Sequence, residues 1–444
     1  MNNPTLFDKS LAGGIDFPEI DSYQYETWYP TSGLSDLSEY KTVRFNMAQT
    51  SLLLHWRWAY LTIKGKISVK PDGGGAERAL AAGDKISLIH NFVPYLFSNC
   101  KLTVGNTLIE DVAHPGTVST VLFNLLHDRS LSKSSGLDYF FVPDTSNQAD
   151  KDNNKGWETR RQWLLAAETD GEFVVNFPLY MLFGAFENFY ALSAYPIEIE
   201  LVRSHDNRLF FKAPKAQAAY KGVIKFDSFT IKVPIVKPSK PESLRLLKGI
   251  SDGKPYIYSF RRRNAVMAPI TKDVTDYQLV VCTELFAERP KMLFLVLQAC
   301  KDDNNQEFNH AAFNHHDVEN AFVRVNNHQF PTVIQGAKFK QNDFGSFYLD
   351  LLHCRANYLM HPADGNCIIT PPLFKTVYPI ISFDLTKSDE TIASKGVTVE
   401  IHLHFRTAAP ADLRVYAVWW SDRTLEVYPD GKPLSIKRDT STYI

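Results

Sequence analysis

The chain repeats itself in outline. Lys101-Leu-Thr-Val-Gly-Asn-Thr-Leu-Ile-Glu110 and Phe322-Val-Arg-Val-Asn-Asn-His-Gln-Phe-Pro331 both read as strand, tight turn, strand. Phe177-Pro-Leu followed by Ile197-Glu-Ile-Glu-Leu201 has a counterpart in Phe383-Asp-Leu followed by Val399-Glu-Ile-His-Leu403, displaced by about 200 residues. A pattern that returns once, degenerate in residue but preserved in order, fits two domains of one kind in tandem better than two unrelated ones. The length agrees, because 444 residues exceed what one hydrophobic core usually organises.

Each half is patterned as strands. Leu61, Ile63, Ile67 and Val69 alternate with Thr62, Lys64, Lys66, Ser68 and Lys70, the period of a half-buried strand. Pro-Asp-Gly-Gly-Gly at 71–75 is a turn, 85–104 is apolar again, and Gly105-Asn106 supplies the positive φ of a two-residue hairpin. Between His114-Pro-Gly and Asp128, the residues Val118, Val121, Leu122, Leu125 and Leu126 fall at helical spacing, with Thr117 as the expected N-cap. The polar stretch 144–156 reads as an exposed loop, and strands return at Phe173–Phe177 and Ile197–Leu201. The second half offers Met292–Leu297, Phe322/Val323/Val325 before Asn326-Asn327, Ile380/Phe383, the alternation Val397, Val399, Ile401, Leu403, Phe405, and the run Val415–Trp420.

Lys237-Pro-Ser-Lys-Pro241, followed by a charged segment ending at Gly249, marks the boundary. Long excursions between short strands favour Greek-key or jelly-roll connections over up-and-down meanders. The expected fold is all-β: two tandem jelly-roll β-sandwiches with short helices in the connecting loops. Its parts are an irregular N-terminal segment over 1–40, a first jelly roll over 41–236, a linker over 237–255, a second jelly roll over 256–430 and a tail over 431–444.

Composition narrows the function. Lys+Arg number 48 against 49 Asp+Glu, so the chain has no overall charge excess for neutralising nucleic acid. The segment before Lys41 carries seven carboxylates against Lys9 alone, which excludes an arginine-rich packaging arm there. No apolar run has the length of a membrane helix, and the first residues lack a basic and apolar leader. Cys100, Cys282, Cys300, Cys354 and Cys367 are odd in number and irregularly spaced, and no Asn-x-Ser/Thr acceptor occurs, so synthesis in a reducing cytoplasm or nucleus is expected.

Several residue groups invite a chemical reading. Glu400, His402 and His404 share one strand face, where two imidazoles could meet a metal, but the pattern supplies no ligand from a neighbouring strand. His310, His315 and His316 beside Asp302–Glu307 fail the EF-hand register and read as a solvated or subunit-contacting loop. Arg261-Arg-Arg263 suits either phosphate or carboxylates at a domain or subunit contact. Gly73-Gly-Gly75 lacks the Lys-Ser/Thr of a phosphate loop, Glu198/Glu200 read as a solvated strand face, and Phe183, Phe186, Phe189 and Tyr190 read as core or interlobe packing. No catalytic, cofactor-binding or metal-ligating residue is assigned, and no cofactor is expected.

The order of these segments resembles the double-jelly-roll major capsid proteins of Polinton/Maverick-type elements, adintoviruses and related DNA viruses. The resemblance runs over about residues 45–430. It rests on Ile89–Asn106, the helix Val118–His127, Phe177-Pro-Leu with Tyr195–Arg203, Val323–Asn327, Tyr378–Leu385 and Val415–Trp420. His114-Pro-Gly departs from the aromatic-Pro-Tyr expected at the start of the helix. The resemblance implies a non-enzymatic coat subunit of the virion. It would form homotrimers of pseudo-hexagonal outline, packed in an icosahedral shell around double-stranded DNA that it binds at most weakly. A separate penton or minor capsid protein is the implied partner, and subunit contacts are expected near 130–165 and 300–320. The alternatives are a two-domain carbohydrate-binding or carbohydrate-cleaving β-sandwich protein, or a host-domesticated capsid-like protein.

Overall fold

A computed structural model describes residues 20–31, 33, 37–47, 53–165, 170–187, 190–192, 195–252, 256–282, 290–326, 328–332, 336–359, 366–386, 398–427 and 435–438. The first half contributes β1 (Ile20–Trp28), β2 (Thr42–Met47), β3 (Tyr60–Pro71), β4 (Phe97–Val104), β5 (Thr107–Ala113), β6 (Glu172–Pro178), β7 (Ile197–Arg203) and β8 (Tyr220–Pro238). They form two antiparallel sheets, β1-β8-β3-β6 and β2-β7-β4-β5, with short strands added at the margins of the first.

The second half contributes β9 (Tyr256–Pro269), β10 (Asp276–Cys282), β11 (Met292–Ala299), β12 (Val318–Val325), β13 (His328–Phe330), β14 (Ile381–Asp384), β15 (Val399–Phe405) and β16 (Leu413–Val427). Its sheets are β9-β16-β11-β14 and β10-β15-β12-β13. Each strand of the first half therefore has its counterpart eight places later, and both halves are jelly rolls. The echoed segments of the sequence are β4–β5 with β12–β13, and β6/β7 with β14/β15.

The period-two strands fold as their patterns require. In β3, Leu61, Ile63, Ile67 and Val69 are buried, and the alternation passes through Gly65 because a Cβ there would lie 2.5 Å from the Lys225 carbonyl oxygen. Gly105 and Asn106 hold φ of +53° and +66°, the two left-handed residues of the β4–β5 hairpin. β7 and β15 bury every other residue. Among the described residues Cys100, Cys300, Cys354 and Cys367 are free and buried, while the side chain of Cys282 lies outside them.

Two boundaries need correction. Residues 20–28, expected in an irregular segment, form β1, because their polar/aromatic alternation pairs along the far end of the long β8. Ser435–Arg438, expected in the tail, pairs with β16.

Helices fill the longer connections: α1 (Pro115–Leu126), α2 (Lys155–Leu164), α3 (Lys240–Ser251), α4 (Gly345–Leu359) and α5 (Pro371–Thr376). α1 and α4 occupy the same connection in the two halves. The N-cap of α1 is His114, in the left-handed region and without a side-chain cap bond, and not Thr117, which lies buried inside the helix. Pro115 sets this start, since a proline at the first helical position gives up an N–H that would be unpaired anyway. Gly116 follows because the Tyr95 ring occupies the space of a side chain, 2.4 Å from the Cβ position, which accounts for His-Pro-Gly at this place.

All twelve residues of α1 are buried. A helix surrounded on every side by protein marks an internal layer. α1 packs on β4 of its own half and on β9 and β16 of the other, so the second β9-β16-β11-β14 sheet is covered from outside. That coverage explains the unbroken burial of Met292–Gln298 in β11, which a one-sided strand would not show.

Candidate functional site

The most heavily engineered region of the molecule is the seam where the two jelly rolls meet, because several of its charges are fully enclosed. Glu110 of β5 is 0% exposed and its carboxylate accepts from the backbone N–H groups of Gly184 (3.1 Å), Ala185 (2.9 Å) and, across the seam, Arg263 of β9 (2.9 Å). Burial pushes its pKa up; Arg263 and the three donors oppose that shift. The Arg263 side chain returns to the first half, donating to Glu187 at 3.1 Å with its guanidinium over the Phe123 ring. The Tyr358 hydroxyl donates to Glu187 as well, at 2.6 Å from Oε1.

A second hub is Asp144, also 0% exposed. Its carboxylate accepts from Arg160 of α2 (2.6 Å), Asn154 (2.9 Å) and, from the other half, Asn309 (2.9 Å), while its backbone N–H donates to the Tyr378 hydroxyl (2.9 Å). Arg160 also donates to the Leu88 carbonyl at 2.9 Å and to that of Val142. Stretch 144–156, expected as exposed, therefore turns inward at both ends, since Asp144 and Asn154 find polar partners that let them be buried. Asn154 caps α2 by accepting from the Trp157 N–H.

The remaining contacts run the length of the seam. Arg355 of α4 donates to the Leu125 carbonyl at 2.8 Å in the last turn of α1 and to Asp128, so a cation meets the negative end of a helix. Gln306 exchanges two hydrogen bonds of 2.8 Å with the Gly222 backbone, and its carbonyl accepts from the Lys212 N–H. The arrangement fixes one jelly roll against the other; it does not expose a polar group to a substrate. Gly184 sits where a Cβ would lie 1.8 Å from the Arg261 carbonyl oxygen. Gly184→Ala is expected to cost about 1–3 kcal/mol through overpacking and to open the seam while leaving both sandwiches formed. Limited proteolysis between β8 and β9, with unchanged far-ultraviolet circular dichroism, checks this.

The sequence model of the double jelly roll-like domain matches residues 86–425. The chain belongs to the double jelly roll-like family. No curated protein sequence matches it. Solved structures give the same fold at low identity. A chain in the structure of the Sputnik virophage aligns with TM-score 0.63 and 11% identity over 97% of this chain and 91% of that one. The mavirus major capsid protein aligns at 0.54 and 11% over 96% and 91%, and the Faustovirus major capsid protein at 0.54 and 9% over 96% and 94%.

Within this double jelly roll the sequence-derived groups are scattered. Arg261 and Arg263 are seam residues, Arg261 lying over the Tyr358 ring at 3.9 Å, which favours the domain-contact reading over phosphate. His402 stacks on Phe322 and faces Glu400 at 3.5 Å, whereas His404 bonds Asp276 at 2.7 Å, so the two imidazoles serve different carboxylates. Glu200 pairs with Arg44, and Gly73–Gly75 form an exposed turn. Phe183 and Phe186 are core residues, with Phe186 stacked on Trp56; Phe189 and the side chain of Tyr190 lie outside the described residues.

The loop at 302–316 requires a correction. It is solvated only in part: Gln306 and Asn309 are buried because they bond to Gly222 and Asp144 of the first jelly roll, and residues 310–313 are buried against β11 and Val377 of their own half, while Asp302, Asn304, Asn305, Glu307 and Asn314 are exposed. The hubs Glu110 and Asp144 were not singled out from sequence. Only Asn154 three residues before Trp157 left a readable signal, an N-cap.

Proposed function

We propose that this chain is the major capsid protein of a DNA virus or virus-like element of the Polinton/Maverick-adintovirus type. It associates with itself as a trimer and tiles an icosahedral shell around double-stranded DNA. The observation that carries this reading is the seam: two jelly rolls of identical strand order are held as one block by enclosed charges. Such a block presents two similar lobes, and threefold closure turns them into six, an outline able to fill a hexagonal lattice. Likeness in fold to the mavirus and Faustovirus major capsid proteins supports the same reading.

The surface suits self-association. Tyr29, Tyr40, Trp58 and Trp163 are each more than half exposed, and aromatic side chains of this kind are the anchors of protein interfaces. Trp163 lies in the excursion 130–165. Much of the other excursion, 300–320, is already committed to the seam, so the subunit contacts are placed on the first of these and on the exposed aromatics. A near-neutral net charge and the burial of Arg263 fit weak, sequence-independent contact with DNA, whose charge is then neutralised by counterions or a basic partner. The chemistry is assembly and not catalysis, the working location is the virion, and a separate penton or minor protein closes the vertices. Negative-stain electron microscopy of the purified chain tests this: hexagonal-looking capsomers or closed shells are expected, and uniformly monomeric particles at assembly concentrations would contradict it.

A further inference from the structure

The loop that follows β11 carries a group of side chains that the seam does not use. Cys300, Asp303 and His310 each place a ligand-type atom within 4.8 Å of those of the other two. Cys300 and His310 are 3% and 1% exposed. The imidazole is hydrogen-bonded to the Asn305 backbone, and its Nε2 has no hydrogen-bond partner. Nδ1 therefore makes the backbone bond as the N–H donor, and the lone pair of the neutral ring is left on a buried Nε2. A backbone carbonyl that fixes the tautomer in this way is the usual support of a metal-binding imidazole. Leaving such a nitrogen enclosed and unpaired is costly unless something completes it.

We propose that Cys300 Sγ, His310 Nε2 and a carboxylate oxygen of Asp303 hold a zinc ion. Thiolate, imidazole and carboxylate are the three ligand types of protein zinc, and a water completes the tetrahedron. On binding, the Cys300 S–H bond is replaced by S–Zn and its proton leaves to solvent; no electron is transferred. Two cations stand nearby. Arg414 donates to both oxygens of Asp303, at 2.9 and 3.0 Å, and the Arg208 guanidinium acts on the same group. They disfavour a hard, purely electrostatic cation such as calcium. Burial and the neighbouring Asp303 push the Cys300 thiol up to about 11, against which Arg414 and Arg208 act, so the thiol gives up its proton only to a thiophilic ion. Asp303 retains lone pairs that Arg414 does not occupy, so the carboxylate can serve both.

The consequence is mechanical and goes beyond the assembly reading. Gln306 and Asn309, which bind the first jelly roll through Gly222 and Asp144, lie between the outer ligands Cys300 and His310. An ion that ties the ends of this segment fixes the seam contacts of the second jelly roll in place. Sequence spacing set His310 beside the Asp302–Glu307 loop but did not join Cys300 to them, because Cys300 directly follows β11 and no paired-cysteine pattern announces it.

The test uses the full chain, stripped with chelator under reducing conditions and titrated with Co²⁺ and then Zn²⁺. The expected result is one equivalent of cobalt with thiolate-to-cobalt charge transfer in the near ultraviolet and tetrahedral d–d bands, displaced by zinc. Cys300→Ser should abolish the charge transfer, and His310→Gln should weaken binding at least tenfold. Zinc should raise the unfolding temperature of the wild-type chain. The proposal is overturned if the wild-type chain, whose folding is not in question, gives no charge-transfer band. It is equally overturned if the band survives in Cys300→Ser, which would place the ion on another thiol.

Discussion

Replacing Asp144 by alanine is expected to destabilise the chain by about 3–5 kcal/mol, the cost of leaving a buried partner charge uncompensated. Arg160, whose side chain is fully enclosed, would keep its carbonyl contacts to Leu88 and Val142 but lose its carboxylate partner. Asn154 and Asn309 would each lose an acceptor, and Asn309 is the one of the two that reaches from the second jelly roll. The loss should therefore fall on the seam before it falls on either sandwich. Asp144→Asn, which keeps the shape and one acceptor oxygen, should retain more stability than alanine but remain well below wild type. Chemical unfolding followed by near- and far-ultraviolet circular dichroism reads both effects. An Asp144→Ala chain as stable as wild type would remove the hub from the account.

How much of this was legible beforehand follows from what side-chain periodicity can encode. The strands were readable, because Ile197/Ile199/Leu201 and Val399/Ile401/Leu403/Phe405 each have one wet and one dry face, and a period of two records that. The helix α1 was readable from its apolar spacing. α4 was missed although Phe347, Leu351, Cys354 and Arg355 fall at helical spacing, because a buried arginine in that row reads as polar. β1 was missed because an edge strand with Asp21, Gln24 and Glu26 looks like a polar segment until the long β8 is present to pair with it.

The seam was least legible. Glu110, Asp144 and Arg160 look like surface residues in sequence, and of the seam charges only the arginine run at 261–263 had suggested a contact with carboxylates; their burial depends on partners that are distant in sequence, among them the Arg263 N–H for Glu110 and Asn309 for Asp144. The same holds for Cys300 and His310, whose proximity depends on the loop doubling back.

The second large effect is acid lability. His90 is buried and His127 half-buried as neutral rings, and loss of solvent lowers each of their pKa values to about 3. His90 shares a 2.9 Å hydrogen bond with Asn124 and packs edge-on against Phe141, with Arg160 beyond; His127 stacks on Phe123 with Arg57 and Arg263 near. In the unfolded chain a histidine titrates at about 6.5. As pH falls below that value the unfolded chain takes up protons that the folded chain refuses, so these groups' contribution to stability is full above about pH 6.5 and declines as pH falls toward 3. Each histidine contributes a slope of about 1.4 kcal/mol per pH unit in that window, which is about 2 kcal/mol apiece between pH 6.5 and 5. Urea unfolding should therefore show a marked loss of stability from pH 7 to 5, and His90→Gln should flatten that dependence by about one histidine's share. A midpoint that does not move between pH 7 and 5 would contradict the neutral burial of these rings.

The central claim is that this double jelly roll is a subunit built to close with copies of itself. Its most direct test is the native mass of the purified full chain at micromolar concentration, measured alone and as Trp163→Ser. The account predicts a trimer for the full chain and weaker association for the variant, with the circular dichroism of the monomer unchanged. A full chain that remains strictly monomeric at every concentration would contradict it.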